Sequence, residues 1–241
     1  MNLIVDIGNT RAKLAVIEEH IILKKVITPI HTVSRTVKRL LEEYLVKNGI
    51  VSSVSKFNTA ELKTLAHFNT LLDLNHHTKV PFHNKYASPK TLGVDRIALA
   101  SAAVTKYPNH NVLVIDAGTC ITYDFVTSGN AYLGGAISPG INIRYRALHQ
   151  FTANLPLLEA TDFQLTGNDT ESSIHSGVLN GLTQEIDGII NQYKAQYQNL
   201  TVVLTGGDTN FLAKKLKSTI FANPNFLLEG LNSILIHNLD E

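Results

Sequence analysis

One short pattern occurs twice in this chain. Leu3-Ile4-Val5-Asp6-Ile7-Gly8-Asn9-Thr10 is echoed by Leu113-Val114-Ile115-Asp116-Ala117-Gly118-Thr119, and the two aspartates lie 116 − 6 = 110 residues apart. Each copy is a short apolar run, as in a buried strand, that ends in a carboxylate and a glycine-containing turn. After the first copy, Lys13–Ile17 and Ile21–Ile27 read as two further strands, with Gly8-Asn9 supporting the tight turn between the first two. Val33, Val37, Leu40, Leu41 and Leu45 then recur at helical spacing over Thr32–Val46, and a strand follows near Ile50–Val54. After the second copy, strands at Ile121–Val126 and Ala131–Ile137 precede a helix from Ile141 to about Phe151. A repeat on this scale decides the fold. The expectation is an α/β chain of two duplicated βββαβα-type domains, 1–108 and 109–241, facing each other across a cleft.

The remaining segments fit around that frame. Asn75–Lys90 carries His76, His77, His83, Pro81 and Pro89 and reads as an irregular loop. Gly93–Tyr107 is a strong helix ended by Pro108, and Thr170–Tyr197 reads as one long helix. Val202–Leu204 is a strand closed by Thr205-Gly206-Gly207-Asp208; a helix and a terminal strand–helix pair finish the chain. Hydrophobic residues make up 44% and charged residues 17%, which suits a packed core rather than a disordered chain. A net charge of +1 offers no basic excess for a sequence-independent grip on nucleic acid. With no run of about 18 apolar residues and no leader pattern at Met1–Asp6, the chain reads as a cytoplasmic protein without a membrane span. Cys120 is the only cysteine, which excludes an internal disulfide and a thiolate zinc cluster.

The strand-end turns carry the chemistry. Backbone N–H groups and a threonine hydroxyl in such a turn can hold phosphate oxygens, and the aspartate sits where a hydrated Mg²⁺ would bridge to them. Lys13, on the next strand, can reach back as a point charge on a phosphate. Thr205-Gly206-Gly207-Asp208 adds a third turn where a nucleoside passes close to the backbone.

Asp6-Ile7-Gly8-Asn9-Thr10-Arg11-Ala12-Lys13, Asp116-Ala117-Gly118-Thr119 and Thr205-Gly206-Gly207-Asp208 resemble the phosphate and adenosine motifs of the acetate/sugar kinase, heat-shock chaperone and actin superfamily. Gly93-Val94-Asp95-Arg96, Gly134-Gly135-Ala136-Ile137-Ser138-Pro139-Gly140 and Gly167-Asn168-Asp169-Thr170 narrow the resemblance to the type III pantothenate kinases, also called Bvg accessory factor-like. The resemblance implies two ribonuclease H-like (actin-like ATPase) domains around a nucleotide cleft. It implies ATP-dependent phosphorylation of pantothenate to 4′-phosphopantothenate, the first step of coenzyme A biosynthesis. In that reading Asp6, Ile7, Gly8, Asn9, Thr10, Arg11, Ala12 and Lys13 bind ATP phosphates and organise Mg²⁺, and Thr119 also contacts ATP. Asp95 is the general base; Gly93, Val94, Asp95, Arg96, Tyr86 and Thr170 hold pantothenate. Asp116 binds a monovalent cation, K⁺ or NH₄⁺, and the enzyme is a homodimer with no nucleic-acid or membrane partner. The long helix, with Ile174, Val178, Leu179, Leu182, Ile186, Ile189 and Ile190, or the helix from Gly93, is expected to present an apolar flank to the second copy.

Plainer readings stand beside these. Asp95-Arg96 also suits a helix start with the arginine in solvent, Tyr86 a half-buried loop aromatic, and Thr170 an N-cap with Ser173 three residues on. The three histidines lack the fixed spacing of a metal site, Cys120 reads as a small buried residue, and Lys214, Lys215 and Lys217 as a solvated helix face. Two other functions fit the same scaffold. One is another small-molecule kinase, because fold does not fix the acceptor. The other is a nucleotide-binding transcription accessory factor that transfers nothing and needs no base at Asp95.

Overall fold

The computed structural model describes residues 1–8, 11–54, 60–63 and 68–239. In chain order the elements are β1 (Asn2–Ile7), β2 (Arg11–Glu18), β3 (Ile21–Pro29), α1 (Val33–Glu43), β4 (Asn48–Ser53), α2 (Ala60–Lys63), β5 (Thr70–Asp73), β6 (His83–Asn84) and α3 (Val94–Lys106). Then come β7 (Asn111–Ala117), β8 (Cys120–Val126), β9 (Ala131–Pro139), α4 (Ile141–Gln150), α5 (Thr170–His175), α6 (Gly181–Gln196), β10 (Leu200–Thr205), α7 (Thr209–Leu212), β11 (Phe221–Ala222) and α8 (Phe226–Leu239). Contacts gather them into two compact units. The first is Met1–Pro108 with Asn130–Tyr132 and Asn225–Glu241; the second is Asn109–Gly129 with Leu133–Pro224.

The duplication is real. The first unit's sheet runs β3-β2-β1-β4-β5, and the second unit's runs β9-β8-β7-β10-β11, the same order. In each, the opening strand pairs antiparallel with the next and parallel with the strand that follows the helix. The first two residues of β9 pair parallel with β6 within the first unit.

Both faces of the first sheet are covered, which is why β1 reads as a continuous apolar run. Leu3, Val5 and Ile7 of β1 join Ala12, Leu14 and Val16 of β2 and Val51 of β4 against Val33, Val37 and Leu40 of α1. Ile4, Ala15 and Ile50 alternate to the other face. There α8 touches β1 and β4, and Asn2 donates to Asn232 of α8 at 2.9 Å. Helix α8 also packs on α3, so closely that a Cβ on Gly230 would stand 1.9 Å from the Ala98 carbonyl oxygen. The last helix of the chain therefore completes the core begun by its first strand. In the second unit, Leu113, Ile115, Tyr123, Phe125, Val202 and Leu204 pack under Ile141 and Tyr145 of α4 and the helical segment that begins at Thr170.

That segment corrects two expectations. It is not one α-helix: a π-helical turn, Ser176–Asn180, separates α5 from α6. It also leaves no apolar flank for a partner. Ile174, Val178, Leu179, Leu182, Ile186 and Ile190 are buried in the unit's own core, with Ile189 packed against it. Helix α3 is likewise buried from Arg96 through Val104. Periodicity shows that a helix has an apolar face, not which neighbour covers it. Lys214, Lys215 and Lys217 do not form a helix face either. They follow the four-residue α7, and Lys215 pairs with Asp162 at 2.6 Å. Among the described residues no helix is long and apolar enough to cross a membrane.

Candidate active site

Asp6 lies one residue from the end of β1 on a polar row. Its register partners are Lys13 on β2 and Ser52 on β4, and residues paired across a ladder share a face. The row sits at the end of the face that α8 covers, because Asp6 has the same parity as Asn2 and Ile4. Asp6 is 8% exposed, and Ser52 is fully buried with no hydrogen-bond partner for its hydroxyl. Ile7 and Ala12 are core residues, and Arg11 is exposed. The Gly8 N–H donates to the Arg11 carbonyl at 3.0 Å, which begins the turn; Asn9 and Thr10 lie outside the described residues. Burial first, and the charge of Lys13 second, lower the pKa of Lys25. A carboxylate level with the half-buried Lys13, with hydroxyl oxygen at hand, suits a hydrated Mg²⁺ and phosphate oxygens.

The start of α3 holds the second group. Asp95 is half-buried in the first helical turn, where negative charge is favoured. One of its carboxylate oxygens accepts the Arg96 N–H at 2.8 Å. A Cβ at Gly93 would stand 2.3 Å from that same oxygen, so glycine makes the space the carboxylate occupies. Arg96 does not face solvent: it is 5% exposed, and its guanidinium lies over the Tyr86 ring, 5.5 Å from the centroid. Tyr86 in turn lies 6.1 Å from the Tyr132 ring. The fold thus brings Tyr86, Gly93, Asp95 and Arg96 together, with Val94 between them.

In the second unit, Asp116 is half-buried at the matching place on β7, level with Thr122 and Thr205. Gly206 has φ +97°, and a Cβ there would stand 2.4 Å from the Asp116 carboxylate and 2.2 Å from the Ala117 carbonyl oxygen. The Asp208 N–H donates to that carbonyl at 3.0 Å. Carboxylate and carbonyl oxygens close together are the donor set a monovalent cation takes. Burial pushes the Asp208 carboxyl pKa up. Thr119 is exposed at the tip of the turn, and its carbonyl accepts the Gly140 N–H at 3.1 Å. Cys120 is exposed rather than buried, because strand alternation points Ile121 inward and turns its neighbour out.

Thr170 opens α5 but does not cap it. Asp169 is the N-cap, accepting the Ser172 N–H at 2.7 Å while Ser172 Oγ accepts the Asp169 N–H at 3.1 Å. Thr170 is exposed on an open groove of about 770 Å³ lined also by Leu148, Leu155, Asn168 and Gly177. A more enclosed cavity of about 260 Å³ lies elsewhere in the first unit, around Ile17, His20 and Ala102. Its Lys106 and Glu229 already pair at 2.7 Å, so that cavity offers a ligand little. The His76 and His77 rings lie 4.1 Å apart, tilted at 45°, in their loop, and His83 is exposed on β6. Among the described residues no three His, Cys, Asp or Glu side chains gather to hold a metal. Ser52 escaped the sequence reading, although an apolar run ending in a hydroxyl beside Asp6 was its signal.

The family model for type III pantothenate kinase matches residues 2–192. A type III pantothenate kinase of Flavobacterium johnsoniae is 46% identical over 244 residues, covering 100% of this chain and 99% of the relative. Among solved structures, a candidate transcriptional activator of the Baf family from Campylobacter jejuni has a TM-score of 0.67 at 23% identity, covering 99% of this chain and 100% of that one. A glucokinase from an Antarctic psychrotroph has a TM-score of 0.55 at 12% identity, covering 98% of each. Likeness at those identities is likeness of fold alone.

Asp208 yields a prediction. Its folded pKa is raised, so the native state binds the proton more readily than the unfolded chain, and stability falls as pH rises through the raised value. Asp208→Asn removes that cost. Its thermal midpoint is expected above the native one at neutral pH, with the gap closing as acid protonates the native carboxylate. Melting curves across the acid range check this; an unchanged gap at every pH overturns it.

Proposed function

This chain belongs to the type III pantothenate kinase family, and on that premise we propose how its residues divide the work. The reaction is ATP-dependent phosphorylation of pantothenate. Phosphoryl transfer of this kind asks the protein for position and charge neutralisation. The pantothenate hydroxyl oxygen forms its bond to the γ-phosphorus as the bond to the bridging oxygen breaks. That electron pair leaves with ADP, and the hydroxyl proton passes to Asp95.

The observation that carries this assignment is the setting of Asp95. The carboxylate is half-buried, oriented by its own helix turn, and one residue from a buried arginine stacked on Tyr86. Gly93, Val94, Arg96, Tyr86 and Thr170 hold pantothenate, with Arg96 as a fixed positive charge for an anionic group of the reactants. Asp6, Ile7, Gly8, Asn9, Thr10, Arg11, Ala12 and Lys13, with Thr119, take the ATP phosphates. Asp6 would hold Mg²⁺, which would lower the charge on the phosphates, and Asp116 would hold K⁺ or NH₄⁺, which would add further positive charge beside them. Lys13 supplies a point charge from the strand beside Asp6. The working unit is a homodimer, and the exposed apolar side chains of the second unit, Ile137, Phe151 and Leu165, are what a second copy would cover.

Three measurements test this reading. Asp95→Asn keeps shape and removes the base; turnover in a coupled ADP-release assay is expected to fall roughly 10²–10⁴-fold with ATP binding little changed. Near-native turnover would remove Asp95 from the role. Activity is expected to fall when K⁺ or NH₄⁺ is replaced by Na⁺ or a bulky organic cation at matched ionic strength; equal rates reject the cation site. Light scattering of an active sample is expected to give about twice 26.5 kDa, and a mass near 26.5 kDa overturns the dimer.

A further inference from the structure

A half-buried ionic clasp sits behind the Gly118–Thr119 turn. Arg144, one turn into α4, donates from Nε to the Pro139 carbonyl at 2.9 Å and from Nη2 to Ser138 Oγ at 2.9 Å. The same Nη2 donates to Glu185 Oε2 of α6 at 2.6 Å, and the Tyr123 hydroxyl of β8 donates to Glu185 Oε1 at 3.1 Å. Arg144 of α4 and Glu185 of α6 thus hold the two residues that precede Gly140, with Tyr123 of β8 bracing the glutamate. Both charged side chains are mostly shielded, at 21% and 29% exposure. Burial alone would raise the Glu185 pKa; the hydrogen bonds from Arg144 and Ser138, the Arg144 charge and the Tyr123 hydroxyl outweigh it and hold it low.

Gly140 passes this order on. Its N–H donates to the Thr119 carbonyl, and a Cβ on it would stand 2.2 Å from the Gly118 carbonyl oxygen and 2.5 Å from that of Thr119. The backbone at 138–140 is therefore pressed against the turn with no slack. If the clasp loosens, the turn loses its backing.

We propose that Arg144, anchored by Glu185, is a positioning residue that pre-sets the Gly118–Thr119 turn for the phosphates of ATP. This rests on the reading that the turn takes ATP. The group recognised is the nucleotide's phosphate chain, and Arg144 acts on it only through Ser138–Gly140. A guanidinium fork reaches three acceptors, two on β9 and one on α6, at once; an ammonium on a flexible stem does not hold them in one plane. Binding at a turn that must be ordered on arrival is weaker than at one ordered beforehand.

Steady-state kinetics with ATP and pantothenate varied separately test it. Arg144→Lys is expected to raise KM for ATP about tenfold, with KM for pantothenate moved less than about twofold. Glu185→Gln keeps an oxygen acceptor and is expected to move KM for ATP the same way by less. Thermal melting of each variant runs alongside; if Arg144→Lys fails to fold, Glu185→Gln carries the test. Unchanged KM for ATP in a folded variant overturns the proposal, as does an equal rise in both KM values, which marks general loosening. Thr119→Ala separates the two levels. If it raises KM for ATP and Arg144→Lys does not, the clasp is structural only. If Thr119→Ala is also silent, the turn does not take ATP and both readings fall.

Discussion

A strand covered on both faces cannot carry an unpaired charge in its middle. Burying an ionised carboxylate away from water costs several kcal/mol or more unless it is paired. Both sheets here place that limit on their central strands: Asp124, fully buried within β8, has its carboxylate accept the Thr122 hydroxyl at 2.9 Å, while the carboxylates of β1 and β7 stand near strand ends. Asp6 and Ser52 stand level at the ends of β1 and β4; Asp116 and Thr205 stand level at the ends of β7 and β10. The same geometry that excludes unpaired charge from the core thus supplies each unit with a carboxylate and a hydroxyl side by side. The turns that follow need only bring N–H groups and, in the first unit, a lysine.

The second device is the helix start. Helix α3 is buried along nine consecutive residues, which leaves its far end exposed at Thr105 and Lys106 and, before the buried run, its first turn half-buried. Asp95 occupies that turn. Arg96 next to it is buried without being idle, because the Tyr86 ring gives its guanidinium an apolar, quadrupolar surface to lie on. A loop aromatic and a helix-start pair, each unremarkable in sequence, become one assembly because the irregular stretch before α3 folds back over it.

The repeat, the meanders and the strand-end acids were legible in the sequence, since alternation and apolar runs record burial directly. Other features were not. Ser176–Asn180 reads as helix by its apolar spacing, and nothing local signals that its hydrogen bonds widen into a π turn. Thr170, Asp169 and Ser172 all suit a cap, and the winner was decided by the reciprocal bond between the last two. Cys120 sits one residue from a buried isoleucine, and strand boundaries read from sequence are no finer than that. Arg144 and Glu185 are 41 residues apart and meet only because α4 and α6 pack over one sheet. Candidate residues on continuous segments could be named in advance; those joined by tertiary packing could not.

The position of α8 bears on how the chain comes off the ribosome. Domains generally fold as units in the order they are made. Here the stretch Asn109–Pro224 is synthesised whole before Phe226–Leu239 exists, while the first unit, begun earlier, waits for that last helix to cover Ile4 and Ile50. The half of the protein translated first is the half finished last. A nascent chain stalled before Phe226 would hold an uncovered apolar sheet face, a target for chaperones, while its later-made neighbour already had every residue it needs.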